Sequence, residues 1–192
     1  MATQTVYNFN PGPAALPREV METAAAEFVD YRVLGYGLAE ASHRSKEFEE
    51  VIHAAEANIR SLMGIPEDYA VLFLQGGASL QFAMVPMNLA LPGKPMLYAD
   101  TGSWSNLAIK EAKLFGDVKL IYDGKASNYS VIGDVAEWPI DADASYAYVC
   151  SNNTIEGTEY RSFPDTGSVP LIADMSSDIM SYPVDVRRFA MI

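Results

Sequence analysis

The chain has 192 residues, of which 49% are hydrophobic, so it can bury one substantial core and is close to the usual size of a single domain. Its formal charge of -12 gives a long-range field that repels nucleic acid and anionic lipid, which argues against polyanion binding. A small anionic ligand remains compatible with this charge, because salt screens distant acidic groups and a few basic side chains in a cleft act locally.

Disulfide, secretion and membrane signals are lacking. Cys150 is the single cysteine, so no disulfide can form within the chain. Met1 to Asn10 carries neither the basic region nor the apolar region of a signal peptide. The most apolar stretch, Phe82 to Leu91, contains a proline and an asparagine and is much shorter than the roughly 20 residues of a membrane helix. We therefore expect a cytoplasmic protein that does not enter membranes.

The first third of the sequence predicts an N-terminal arm followed by two helices. Asn8 to Pro13 has no apolar periodicity and contains two prolines, as expected for an arm. Apolar residues at helical spacing predict an amphipathic helix over Pro17 to Tyr31 and a longer one over Phe48 to Leu62, which Gly64 and Pro66 would end.

From Tyr69 onward, short apolar runs alternate with helical stretches. These runs favour strands that are buried on both faces, and the spacers supply crossover helices, so the predicted fold class is α/β with a mostly parallel sheet flanked by helices. The last run ends at Ile192 without a cap or a turn, and we expect the chain to be part of a longer, truncated domain. The runs are Ala70–Leu74, Met96–Ala99, Val118–Tyr122, Tyr146–Cys150, Pro170–Ala173 and Phe189–Ile192.

Ligands of open α/β sheets gather beyond the carboxyl ends of the strands, so the residues after each run are candidates for a site. Gly76 and Gly77 lead into a helix whose first amides, with the Ser79 hydroxyl, could hold a phosphate. The alternative is a plain strand-to-helix turn in which Ser79 is the N-cap.

Trp104 follows the second run and offers a flat face for stacking an aromatic ligand, although a tryptophan at a helix start commonly serves packing. Thr154 lies in a polar cluster after Tyr146–Cys150, which could donate hydrogen bonds to a ligand or form an Asx turn. Both positions keep two interpretations open.

Asp174 stands at the tip of a run that should be buried, where a carboxylate needs a partner such as a cationic ring nitrogen. The alternatives are an N-cap or a structural ion pair. Upstream, His43 and Arg44 precede a helix, and a guanidinium suits carboxylate or phosphate; the alternative is a surface pair at a helix start. Together, the helix start at Ser79, the indole of Trp104 and the carboxylate of Asp174 predict one site for a phosphorylated pyridine.

The sequence resembles the phosphoserine aminotransferase family, which belongs to the class V, fold type I aminotransferases that depend on pyridoxal phosphate. The resemblance covers nearly the whole chain. It is carried by Asn8–Pro17, Ser42–Arg44 with Phe48, Gly76–Gly77 with Gln81–Phe82, Gly102–Trp104, Ala108–Lys113, Asn153–Ile155 with Gly157, and Ala173–Asp174 through Asp185–Val186.

This resemblance implies that Ala78 and Ser79 hold the phosphate of pyridoxal 5'-phosphate, where some relatives carry Gly-Arg. Trp104 would stack on the pyridine ring, Thr154 would bond near the ring oxygen and Asp174 would pair with the ring nitrogen. His43 and Arg44 would bind substrate, and no metal is implied. Residues 1–16 would be an arm belonging to the small domain, and residues 17–192 the first part of the large, cofactor-binding domain.

The implied reaction moves an amino group between glutamate and 3-phosphohydroxypyruvate to give phosphoserine and 2-oxoglutarate. It would be carried out by a homodimer that serves serine biosynthesis and, in many bacteria, pyridoxine biosynthesis. The family's Schiff-base lysine should follow the run that begins near Phe189, but Lys125 is the last lysine of the chain, so the 192 residues by themselves are expected to be inactive. The alternatives are a related fold type I enzyme, such as a small-amino-acid:glyoxylate aminotransferase or a cysteine desulfurase, and a non-catalytic fragment.

Overall fold

The computed structural model describes residues 6–192, and the first five residues of the predicted arm lie outside this range. The chain divides into two compact units between Val71 and Leu72. Residues 6–16 are exposed and contain neither helix nor strand, as predicted for the rest of the arm. No helix in the described range is long and apolar enough to cross a bilayer.

The first unit contains the two predicted helices. Helix α1 spans Arg18–Val29, with Pro17 as its N-cap. Helix α2 spans Lys46–Met63, and the Ser45 side chain accepts a hydrogen bond from the Phe48 amide at its start. Gly64 ends α2 in the left-handed conformation with φ 62°, which glycine adopts without steric cost. Two short 3-10 helices, Tyr31–Val33 and Leu38–Glu40, lie between α1 and α2.

The predicted strand Ala70–Leu74 is wrong. These residues have no regular secondary structure, and Leu72, Phe73 and Leu74 are 69%, 50% and 54% exposed. An apolar run indicates a tendency toward burial, but a strand also needs a neighbouring edge that satisfies its backbone groups. No strand in residues 6–192 pairs with this segment.

The second unit is built on a parallel sheet with interleaved helices. Helix α3 spans Gly77–Leu89, strand β1 Met96–Asp100, helix α4 Ser103–Ala112, strand β2 Val118–Asp123 and strand β3 Tyr146–Cys150. A small antiparallel hairpin of β4 (Asn152–Asn153) and β5 (Thr158–Glu159) follows, and then strand β6 (Leu171–Asp174). The strand order is β2-β1-β3-β6, and every neighbour is parallel, which confirms the predicted α/β class.

The core lies on both faces of this sheet. Every residue of β1 and β3 is buried, which explains why these strands are continuous apolar runs. On one face, α3 and α4 pack against tyrosines of β1 and β3. The other face carries a row of four aromatic rings in which neighbouring ring centroids are 4.8–5.9 Å apart: Trp138, Tyr160, Phe163 and Phe189.

The predicted strand Phe189–Ile192 is reduced to a single bridge. Met191 pairs in parallel with Ile172 of β6, and the Ala173 amide donates to the Met191 carbonyl at 3.0 Å. A 3-10 turn at Val186–Arg188, capped by Asp185, directly precedes this segment. The segment thus follows β6 as predicted, but it does not extend into a strand within the described residues.

Candidate functional site

The carboxyl ends of β1, β3 and β6 lie side by side, because the strands are parallel neighbours. Cys150 is paired in register with Asp174, and β1 ends at Asp100 on the other side of β3. The residues that follow these strands therefore meet at one edge of the sheet, which is where open α/β sheets bind ligands.

Asp174 is half-buried at this edge and is held through both carboxylate oxygens. Its Oδ2 accepts a hydrogen bond from the Tyr148 hydroxyl at 3.2 Å, and its Oδ1 accepts from the amide and the hydroxyl of Ser176. Neither alternative suggested by the sequence applies: a turn rather than a helix follows Asp174, and within residues 6–192 it forms no ion pair. The carboxylate keeps its capacity for a cationic partner.

Trp104 and Thr154 are brought into direct contact. Trp104 is the second residue of α4 and is 36% exposed, and its indole Nε1 donates to the Thr154 hydroxyl at 2.9 Å. Thr154 lies in the turn of the β4–β5 hairpin. The indole is thus partly exposed while its polar edge is bonded, as a stacking role would require.

Glu156 joins the same hairpin to the start of α4. Its Oε1 accepts from the Ser103 amide at 2.8 Å and from the Ser103 hydroxyl at 2.7 Å, so a distant carboxylate caps this helix. The close approach requires a glycine at position 102, since a Cβ there would lie 2.6 Å from Glu156 Oε2 and 2.7 Å from Asn153 Oδ1. Asn153 is fully buried and donates to Thr101 and Thr158.

Asp100 is a second buried carboxylate at this edge, and its hydrogen-bonding needs are already met. Its oxygens accept from the Ser105 hydroxyl, the Asn106 amide group and the Tyr129 hydroxyl at 3.2–3.3 Å. Burial, and then the charge of Asp100, raises the pKa of Tyr129 to about 12, so this phenol stays a donor at neutral pH. Asp100 thus anchors α4 and the turn after β2.

Ala78 and Ser79 lie in the first turn of α3. Gly76, with φ 95°, is the N-cap and the helix begins at Gly77, so the alternative with Ser79 as N-cap is wrong; a left-handed glycine takes that position instead. Leu91, just after α3, donates to the Ser145 hydroxyl at the amino edge of the sheet. The start of α3 therefore points toward the carboxyl edge, and the residues of its first turn, whose amides have no partner within the helix, are exposed.

His43 and Arg44 lie in the first unit, in the exposed loop before α2, as predicted. The Arg44 amide donates to the Ser42 hydroxyl at 3.2 Å, and neither side chain forms an ion pair in the described residues. Both side chains are thus accessible, and their part in substrate binding stays a prediction.

Tyr148 and Ser176 were missed by the sequence reasoning. Both donate to Asp174, Tyr148 from within the buried β3 run and Ser176 from two residues downstream. Two signals could have found them: Tyr146 and Tyr148 alternate toward one face of a strand, and a serine two residues after an aspartate is typical of an Asx turn.

Comparison with known proteins assigns the chain to a family. The sequence profile of the aminotransferase class V family matches residues 6–191. Over 190 residues, the chain is 50% identical to the phosphoserine aminotransferase of Niallia circulans and 51% identical to that of Lysinibacillus sphaericus, covering 99% of this chain and 52% of each relative. The chain thus spans about half the length of the curated relatives it matches.

Solved structures agree. A phosphoserine aminotransferase from Bacillus circulans subsp. alkalophilus superposes with a TM-score of 0.93 at 51% identity, covering 96% of this chain and 51% of that one. A pyridoxal-phosphate-bound phosphoserine aminotransferase from Trichomonas vaginalis superposes with a TM-score of 0.89 at 38% identity, covering 97% and 56%. On the family match over nearly all of its residues, the chain belongs to the class V aminotransferases.

Proposed function

We propose that the protein is a pyridoxal-phosphate-dependent aminotransferase that exchanges an amino group between glutamate and 3-phosphohydroxypyruvate, giving phosphoserine and 2-oxoglutarate. The observation that carries this proposal is the carboxylate of Asp174, which is held by three donors at the sheet edge but forms no ion pair in the described residues. A half-buried carboxylate in this state fits a protonated ring nitrogen.

Asp174 would hold the proton on the ring nitrogen of pyridoxal 5'-phosphate. When bound, the cofactor accepts the electrons released as the amino acid loses its α-proton, and a positive ring nitrogen strengthens this capacity. Trp104 would cover one face of the ring, and Thr154 would keep the indole in place while its hydroxyl bonds near the ring oxygen. The exposed amides at Ala78 and Ser79 would bind the phosphate at the positive end of the α3 dipole.

His43 and Arg44 would recognise the anionic substrate. A guanidinium binds phosphate or carboxylate through two parallel hydrogen bonds, which makes Arg44 the stronger candidate of the two. The accessibility of both side chains supports this assignment. It would also distinguish the protein from relatives that act on unphosphorylated amino acids.

The finer biological setting is part of the proposal. The whole protein would act as a cytoplasmic homodimer in serine biosynthesis, with a further role in pyridoxine biosynthesis. Residues 1–16 would belong to its small domain and residues 17–192 to its large domain. The similarity to phosphoserine aminotransferases supports these statements.

Asp174→Ala in the full-length protein tests the central assignment. We expect turnover to fall at least 100-fold, because the ring nitrogen loses the charge that keeps it protonated. Asp165→Ala is the matched control, since Asp165 is an exposed acid that only closes a local turn. Equal turnover of the Asp174 variant and the control would refute the role of Asp174.

Arg44→Ala tests substrate recognition separately. We expect KM for the phosphorylated substrate to rise about 10-fold or more, while the Kd of pyridoxal 5'-phosphate stays unchanged, because a charged hydrogen-bonding pair is lost from the substrate alone. Arg18→Ala, which removes an exposed arginine of the same unit, is the control. Equal losses of substrate and cofactor affinity would contradict the role of Arg44.

A further inference from the structure

Tyr148 connects the interior of the sheet to the edge where Asp174 lies. It belongs to β3, is only 3% exposed, and its hydroxyl donates to Asp174 Oδ2 at 3.2 Å. Because Cys150 is the register partner of Asp174, the Tyr148 side chain reaches along the strand direction to make this contact. The bond therefore joins a fixed core position to a half-buried carboxylate.

Packing leaves the Tyr148 ring little freedom. Tyr98 is its register partner on β1, and the two rings stack with centroids 4.8 Å apart and planes 25° apart. Helix α3 contributes Phe82 and Val85 to the same cluster. A hydroxyl on a ring packed this way cannot leave Asp174 unless the core repacks, which costs energy in an interior of crystal-like density.

The protonation state of Tyr148 fixes the direction of the hydrogen bond. Burial, and then the negative charge of Asp174, raises the pKa of Tyr148 well above its ordinary value. The phenol therefore stays neutral at neutral pH, and its hydroxyl donates to Asp174. It orients Asp174 without cancelling its charge.

We infer that Tyr148 is a positioning residue for the cofactor, which acts by fixing the carboxylate of Asp174 through Oδ2 while Ser176 holds Oδ1. This inference rests on the proposed function, since it concerns the group that would meet the ring nitrogen of pyridoxal 5'-phosphate. Tyr148 works only through its bond to this carboxylate. Its effect should therefore vanish when Asp174 can no longer carry charge.

Tyr146 provides a matched control in the same cluster. It lies two residues before Tyr148 on the same face of β3 and is fully buried. Its hydroxyl is 2.7 Å from the Tyr98 hydroxyl and 3.2 Å from the Met96 sulfur, and neither of these bonds involves Asp174. Tyr146→Phe thus removes a buried, hydrogen-bonded hydroxyl from the same cluster without removing a bond to the carboxylate.

The test compares Tyr148→Phe, Tyr146→Phe and Asp174→Asn, with the double variant Tyr148→Phe/Asp174→Asn, in the full-length protein. The Kd of pyridoxal 5'-phosphate is measured by equilibrium dialysis, and kcat and KM by steady-state kinetics. We expect Tyr148→Phe to raise the cofactor Kd about 10-fold and to lower kcat with KM unchanged, as for the loss of a hydrogen bond to a charged group. Tyr146→Phe should stay within about twofold of wild type, since its hydroxyl makes no bond to that charge.

The double variant separates positioning from simple packing. If Tyr148 acts through Asp174, Tyr148→Phe adds less than about twofold to the cofactor Kd in the Asp174→Asn background. Equal effects of the two tyrosine variants, or full additivity in the double variant, would overturn the inference while leaving the proposed function intact. A wild-type protein that does not bind the cofactor, or an Asp174→Asn variant that matches wild type in Kd and kcat, would overturn both.

Discussion

Gly102 is the position at which the smallest change should disturb the site most. Its backbone is extended, at φ 164°, so an alanine is conformationally acceptable and only the space around a new Cβ matters. That Cβ would lie 2.6 Å from Glu156 Oε2 and 2.7 Å from Asn153 Oδ1. A carbon and an oxygen normally approach to about 3.3 Å, so Glu156 has to move by roughly 0.7 Å and Asn153 by roughly 0.6 Å.

Neither partner can move freely. Glu156 is bonded to the Ser103 amide and hydroxyl, and fully buried Asn153 to Thr101 and Thr158. Moving Glu156 by roughly 0.7 Å would stretch its bond to the Ser103 amide to about 3.5 Å, beyond the usual range. Overpacking costs about 1–3 kcal/mol and a lost charged hydrogen bond about 1.5–3 kcal/mol, of which partial relaxation recovers some. We expect a loss of about 2–4 kcal/mol in the free energy of unfolding.

Two measurements follow the effect of Gly102→Ala. Urea unfolding gives the loss of stability, and hydrogen exchange at the Trp104 indole, observed by NMR, reports on its bond to Thr154. The exchange should accelerate, because a shifted α4 start carries Trp104 away from the hairpin. Gly116→Ala is the matched control, since a Cβ there would meet only the Met96 methyl group at an ordinary 3.5 Å. Stability losses within about 0.5 kcal/mol of each other would refute the steric reasoning.

Three further predictions concern stability and reactivity. Ser45→Ala should lower the free energy of unfolding by about 1 kcal/mol, because the Phe48 amide loses its cap acceptor. Ser61→Ala, inside α2, should leave the free energy of unfolding nearly unchanged, and urea unfolding of both variants tests the difference. Burial raises the pKa of the Asp178 carboxyl above 3.8. The stability that Asp178 contributes is therefore fully present below about pH 3.8 and is lost as the pH rises through the raised pKa. As pH rises, the free energy of unfolding of wild type should therefore fall relative to that of Asp178→Asn. A difference between the two that does not change with pH would contradict this. Burial also raises the pKa of the Cys150 thiol far above its usual range, so iodoacetamide at pH about 8 should label it only in urea, as mass spectrometry can check.

The sequence predicted those elements whose signals are local. Helix α2 combines an apolar stripe with a serine N-cap and a left-handed glycine C-cap, and each of these features acts over one or two turns. Strands β1, β3 and β6 were found because both faces are covered, which leaves a continuous apolar run. In such cases the residues that form an element also carry the local pattern that predicts it.

The errors occurred where an element depends on a partner. Leu72–Leu74 and Phe189–Ile192 are as apolar as β6, but a strand exists only where a neighbouring edge accepts its backbone hydrogen bonds. Likewise, the place of Trp104, Thr154 and Asp174 after apolar runs predicted that they lie near strand ends, but it did not predict which residues they contact. The bond from Trp104 to Thr154 spans 50 residues of chain, and no local pattern encodes such a separation.

That bond sets the orientation of the indole before any ligand arrives. A free tryptophan side chain would lose rotational freedom on stacking, a loss of about 0.5–1.5 kcal/mol for an immobilised side chain. With Nε1 tied to the hairpin, this entropy is already lost when the chain folds. The indole is thus preorganised. The affinity for a stacked pyridine ring should therefore depend more on how well the ring fits against the indole than on ordering the tryptophan side chain.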